Sequence, residues 1–176
     1  VLRNSRTPAF NALDMRGRLA AINRGRARIH EVILRYGKQT FLETQSTILD
    51  LAQQAFTRRL SELPDGTWRQ EGFLDYRRLY RVRLRATKAG DRLIFDFRDA
   101  SKQAPAMVNA ARCLTEGCVM AAILGQLCYD MPWSPAAFKR NINILTKEGT
   151  LVDAKHPAGV GQGSTAGAYL AQSLVS

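Results

Sequence analysis

The segment Asp96-Phe97-Arg98-Asp99-Ala100-Ser101-Lys102-Gln103 gathers the side chains best suited to chemistry in this sequence. An apolar strand pattern delivers two carboxylates, a hydroxyl and an amide into a loop, and Pro105 and Asn109 follow just before a helical pattern. Polar groups collected where a strand ends and a helix begins are a common setting for substrate contacts, and equally for caps and turns. On residue types alone both readings stay open for Asp96, Gln103 and Asn109. Other constellations are incomplete. His30 and His156 are far apart, and no His-x-x-x-His pair offers a self-contained zinc site. Ser101 and Ser164 lack a Gly-x-Ser-x-Gly elbow. The glycines at 159, 161 and 163 offer backbone N–H groups to an anion ahead of a helix starting near Ser164. No Lys follows them in Walker spacing, so a turn or packing loop is the plainer reading. Cys113, Cys118 and Cys128 are spaced by five and ten, which is neither a zinc knuckle nor Cys-x-x-Cys. They read as small apolar packing residues in a reducing compartment.

The elements that must position these groups change character along the chain. Apolar residues recur at steps of three and four over residues 12–36, which predicts a helix stopped by Gly37. A second apolar stripe from Phe41 to Leu60 predicts a helix over about residues 39–62, and the short junction predicts a helical hairpin. Pro64-Asp65-Gly66 is a turn signal. Beyond it the period becomes two, with strands expected at Thr67–Phe73, Tyr80–Thr87 and Arg92–Phe97, the last two joined at Gly90-Asp91. A helix over 110–129 and two short strands, Asn141–Thr146 and Thr150–Ala154, come next, before a last helix. The fold class is therefore α+β: an N-terminal helical hairpin, then a mixed or antiparallel sheet with packed helices. Residues 1–66 form a helical segment and 67–176 an α+β segment.

Composition narrows the function classes. Of 176 residues 45% are hydrophobic and 23% charged, which suits a globular core and excludes a disordered tract. No apolar run reaches the ~20 residues of a membrane span. The sequence opens Val-Leu-Arg-Asn without Met or a signal peptide and stops in an apolar helical pattern, so both ends read as cut from a longer chain. The net charge of +11 raises nucleic-acid binding, but no recognition motif accompanies it. Arg81, Arg83 and Arg85 alternate with Val82 and Leu84, which predicts a basic strand face that is solvated or held against a partner.

Seven segments in order resemble the hydantoinase B/oxoprolinase family. They are Asp14 to Gly25 with Ala20, Ala21 and Asn23; Arg35-Tyr36-Gly37; Pro64-Asp65-Gly66-Thr67-Trp68; Lys88 to Phe97, ending in Asp-Phe; Ser101-x-Gln103 with Asn109; Lys147-Glu148-Gly149-Thr150; and Pro157-Ala158-x-Val160. The sequence departs from the family pattern where Leu13 replaces Gly, Arg98-Asp99 replaces Ser-Gly and Lys147 replaces Pro, which resembles the acetone and acetophenone carboxylases more than a true hydantoinase. The resemblance implies an internal part of a cytoplasmic, ATP-dependent enzyme that hydrolyses a cyclic amide after activation by a hydantoinase A-type ATP-binding subunit, in a hetero-oligomer acting on a small molecule. Ketone carboxylation is the alternative it implies, and a non-catalytic interface segment a further one. Both predicted segments would then belong to one larger family domain. ATP and a divalent metal are implied for the assembly; the family's acidic and histidine metal residues lie outside this sequence, so no metal or cofactor is expected on it. Asp96, Gln103 and Asn109 are the expected substrate-binding or site-supporting groups, acting by position, and no catalytic residue is assigned.

Overall fold

In the computed structural model, residues 4–176 are described. Two compact units divide the chain, one ending at Ile48 and one running Leu49–Ser176. The first unit holds α1 (Pro8–Tyr36) and the start of α2 (Lys38–Ser61). Pro8 opens α1, where its missing N–H costs nothing. Gly37, at φ 86°, stops it and donates its N–H to the Ile33 carbonyl at 2.8 Å. The apolar stripe of α1 forms as the spacing predicts, yet no described residue of the helix is buried.

The second unit carries the core. It contains the end of α2, strands β1 (Gly66–Tyr76), β2 (Arg78–Ala89) and β3 (Arg92–Asp96), helices α3 (Arg112–Leu127) and α4 (Pro135–Phe138), strand β4 (Ile142–Leu145) and helix α5 (Gly167–Val175). The sheet order is β1-β2-β3-β4, with the first two pairings antiparallel and β3–β4 parallel. The parallel pair requires a crossover, and α3 with α4 supplies it. The α+β class with a mixed sheet is thus the observed one.

Alternation along β2 decides which face is core. Tyr80, Val82 and Leu84 are buried while Arg83 and Arg85 are exposed. Phe95 of β3 and Ile142 of β4 join the buried face, and Phe56 and Leu60 of α2 with Val119 and Ile123 of α3 pack in the same core. Phe56 stacks on Phe138 with ring centroids 4.6 Å apart. Burying a ring of that size stabilises by about 1.5–3 kcal/mol, so the short helix α4 is held mainly by Phe138. Lys88 is buried at the β2 end but satisfied: its Nζ donates to Asp65 Oδ1 at 2.6 Å and the Leu63 carbonyl at 2.7 Å.

One expected strand is absent. Thr150–Ala154 forms a turn in which Gly149 N–H donates to the Asp153 carbonyl at 2.8 Å, while Thr146 Oγ1 donates to Asp153 Oδ2 at 2.6 Å. Leu151 and Val152 are still fully buried. The apolar run marks burial; the backbone bonds of the segment go to its own turn and to the loops at Ser101 and Ala110 in place of a strand ladder. The cysteines also divide. Cys128 is buried, with its thiol pushed up to about 11 by desolvation, and Cys118 is partly buried. Cys113 is exposed and does not pack as the sequence suggested.

Candidate functional site

The open face of the sheet holds a cleft of about 910 Å³. Strand register builds it. Arg69 of β1 pairs with Arg85 of β2, and Arg85 in turn with Asp96 of β3; Glu71 pairs with Arg83. Alternation sends these side chains to the face opposite the core. Arg98 and Asp99, just past β3, and Lys147, past β4, complete a lining of five cations and three carboxylates.

Like charges directly opposite one another on paired strands repel, so Arg69 against Arg85 needs an anion nearby. Asp96 provides it. Its side chain is 9% exposed, and its Oδ2 accepts from Arg85 Nη2 at 2.7 Å and Arg98 Nη2 at 2.8 Å. Oδ1 accepts from Arg98 Nε at 2.9 Å and from the Arg98 backbone N–H at 3.1 Å. The Arg98 guanidinium, against the opposing pull of burial, holds the Asp96 carboxyl far below the ordinary carboxylate range. Arg83 bridges Glu71 at 3.1 Å and Asp99 at 2.8 Å, and this contact lowers the Asp99 pKa. Asp96 and Asp99 are both lowered by their arginine partners, so at neutral pH these two accept hydrogen bonds and have no proton to give. Arg69 and Lys147 make no ion pair among the described residues. The lining contains no Ser, Cys or His. Such a cleft can bind and orient an anionic group.

Gln103 and Asn109 belong elsewhere. Asn109 is fully buried; its Oδ1 accepts from Ala104 N–H at 2.6 Å, and its Nδ2 donates to the carbonyls of Ala104, Ala106 and Gly159 at 2.9, 2.8 and 3.0 Å. Gln103 Oε1 accepts from the Lys155 N–H at 2.8 Å. Both tie the 103–109 loop to the 155–159 loop, where Gln103 also lines a shallow depression with Met107 and Pro157. Of the three residues singled out in the sequence, only Asp96 lines the charged cleft. Ser101 is a bracing group as well, its Oγ accepting from Arg81 N–H at 2.8 Å.

The glycine-rich loop is a packing loop. A Cβ at Gly163 would stand 2.6 Å from the Asn109 carbonyl, and one at Gly167 would stand 2.7 Å from that of Leu151. Sequence reasoning did not find the Glu71–Arg83–Asp99 bridge, because strand register decides it; the Arg81-Arg83-Arg85 alternation was its one visible trace.

Comparison with known proteins places this arrangement. The model of the hydantoinase B/oxoprolinase family matches residues 1–175. An uncharacterized protein of Methanocaldococcus jannaschii is 24% identical over 165 residues, 93% of this chain and 29% of that protein. A candidate D-/L-hydantoinase polypeptide of the B type, from a Pseudomonas species, is 32% identical over 72 residues, 41% of this chain and 12% of that protein. Among solved structures, the ATP-dependent caprolactamase of Pseudomonas jessenii superposes with a TM-score of 0.83 at 19% identity, covering 99% of this chain and 31% of that one. A nucleotide-free acetone carboxylase superposes at 0.75 and 17% identity, covering 90% and 23%. The chain spans less than a third of the length of each of these proteins. With the match running over nearly every residue, the chain belongs to the hydantoinase B/oxoprolinase family.

Proposed function

We propose that this chain forms part of an ATP-dependent enzyme that hydrolyses a cyclic amide after activation by a hydantoinase A-type ATP-binding subunit. Family membership over residues 1–175 carries the reading. The likeness to a caprolactamase, closer than that to an acetone carboxylase in both superposition and coverage, favours amide opening over ketone carboxylation. Carboxylation is the second reading, supported by the 90% of the chain that superposes on the carboxylase.

In this reading the ATP and divalent metal of the assembly are held by residues outside this chain. Among the described residues no three His, Cys, Asp or Glu side chains converge as metal ligands. Its contribution in this reading is positional. The cleft receives an anionic group of the substrate, and Asp96 holds Arg85 and Arg98 in a fixed fork toward it. Arg69 is the cleanest probe because breaking it disturbs no ion pair.

The test uses the full-length polypeptide together with its ATP-binding partner. ATP-dependent ring opening of a hydantoin, 5-oxoproline or a lactam is expected, and Arg69→Gln should raise the KM for 5-oxoproline, whose carboxylate the cleft would receive, with the melting temperature unchanged. Bicarbonate-dependent carboxylation of a ketone would establish the second reading instead. Equal, ATP-independent turnover by the isolated 176 residues would overturn both.

A further inference from the structure

The arginines of the cleft differ in how many of their N–H donors are spent. Arg98 gives Nε and Nη2 to Asp96, and Arg83 gives Nε to Glu71 and Nη1 to Asp99. Arg85 gives Asp96 only its Nη2, which leaves Nε and Nη1 without a partner among the described residues. Arg69 spends none of its N–H groups on an acceptor among the described residues. These two arginines stand directly opposite each other on β1 and β2, where paired side chains leave their strands about 5 Å apart. The unspent donors of the sheet face therefore lie side by side.

Charge says what fits between them. Around Asp96 three guanidiniums, those of Arg69, Arg85 and Arg98, meet one carboxylate, so two positive charges are left over. A carboxylate ligand answers one of them. Phosphate carries about two negative charges near pH 7, and its tetrahedral oxygens can accept from two guanidiniums at once. Lys147 lies beyond β4, three strand spacings from β1, or on the order of 14 Å at the backbone. It serves the far rim of the cleft. The cleft, at about 910 Å³, has room for more than a phosphate group.

We propose that Arg69 and Arg85 form a clamp for a phosphate dianion, free or as the phosphate of a small monoester, with Asp96 holding Arg85 in place from the opposite side. The inference rests on the reading of this cleft as an anion site and needs no ring opening. It follows from which donors are spent, and from the charge left over between two paired strands.

Isothermal titration calorimetry of the full-length polypeptide alone, without ATP, tests it at about 0.15 M salt, where charges beyond ~8 Å are screened. Inorganic phosphate should bind saturably, and acetate roughly tenfold more weakly or less. Arg69→Gln should weaken phosphate about tenfold, with the melting temperature unchanged, and Arg69→Lys, which keeps the charge and loses the fork, should recover only part of it. Lys147→Gln should change the affinity by less than about threefold. Glycerol 1-phosphate in a parallel titration separates the two sources. Binding equal to that of phosphate marks a site for esters, and binding of inorganic phosphate alone marks a site for the free ion. Equal binding of acetate and phosphate, or no binding of phosphate, would overturn the clamp. So would a Lys147→Gln effect as large as that of Arg69→Gln. Ring opening without phosphate binding would remove the clamp and leave the proposed activity standing; phosphate binding without turnover would do the reverse.

Discussion

The Asp96 carboxylate lies across the β2–β3 ladder from Arg85, 2.7 Å from its Nη2, and this pairing lets Arg69 and Arg85 stand opposite each other one strand further on. The basic face of the sheet thus depends on one acid. Removing it leaves repulsion between strands where there was a network.

Asp96→Asn should lower stability by about 1–2 kcal/mol at pH 7. A hydrogen bond to a charged group is worth about 1.5–3 kcal/mol, and the loss is smaller here because Arg85 and Arg98 stay half-exposed and are rehydrated. The sign in pH follows from the lowered pKa of Asp96. Its contribution is present above the unfolded-state value of about 4 and fades as pH falls through the range below it. Thermal melts should therefore show a constant gap between wild type and variant from pH 5 to 7, closing below pH 4. A gap that grows on acidification would refute the assignment.

Asn109 makes a different kind of prediction. Its side chain satisfies one N–H and three carbonyls in a site without solvent. Asn109→Ala should cost roughly 2–4 kcal/mol in urea unfolding, since buried groups left unpaired cost about 1–3 kcal/mol each and some will relax. Asn109→Asp should be worse, because an oxygen would replace the donor that faces the three carbonyls. If Asp were tolerated better than Ala, the three carbonyl contacts of the Asn109 amide would not be what holds the loop.

These two residues show how far the sequence reaches. The change of period after Gly66 and the Arg-Val-Arg-Leu-Arg alternation were legible because pleat geometry turns spacing into faces. Asp96 was visible as an acid at a strand end. Its partners were not, since Arg85 is eleven residues away and only register brings them together. Asn109 was legible as a polar residue near a helix start, but its role depends on Gly159, fifty residues on. Thr150–Ala154 misled for the opposite reason: its apolar residues announce burial, and burial alone does not specify a strand.

Gly163 and Gly161 lie two residues apart and should respond differently to the same substitution. A Cβ at Gly163 meets the Asn109 carbonyl at 2.6 Å and Ala110 Cα at 3.1 Å, both backbone, whereas at Gly161 the nearest atom is the Met107 Sδ at 3.5 Å. Overpacking of this kind costs about 1–3 kcal/mol. Gly163→Ala should lose at least that much stability, and Gly161→Ala should lie within about 0.5 kcal/mol of wild type. Equal midpoints in chemical denaturation would remove the packing account of the loop.

The three thiols give a solution check on the core. Cys128 is buried and its thiol is pushed up to about 11, so at pH 8 only roughly one molecule in a thousand holds the thiolate that reacts. Burial of Cys118 raises its thiol as well, while Cys113 stands exposed. Labelling with a thiol reagent at pH 8 should modify Cys113 first and Cys118 more slowly. Cys128 should react only as the second unit unfolds, with a rate that rises with denaturant. Mass spectrometry of the labelled chain reads the order directly. Fast labelling of Cys128 in native buffer would mean that the packing between α2 and the C-terminal end of α3 opens without global unfolding.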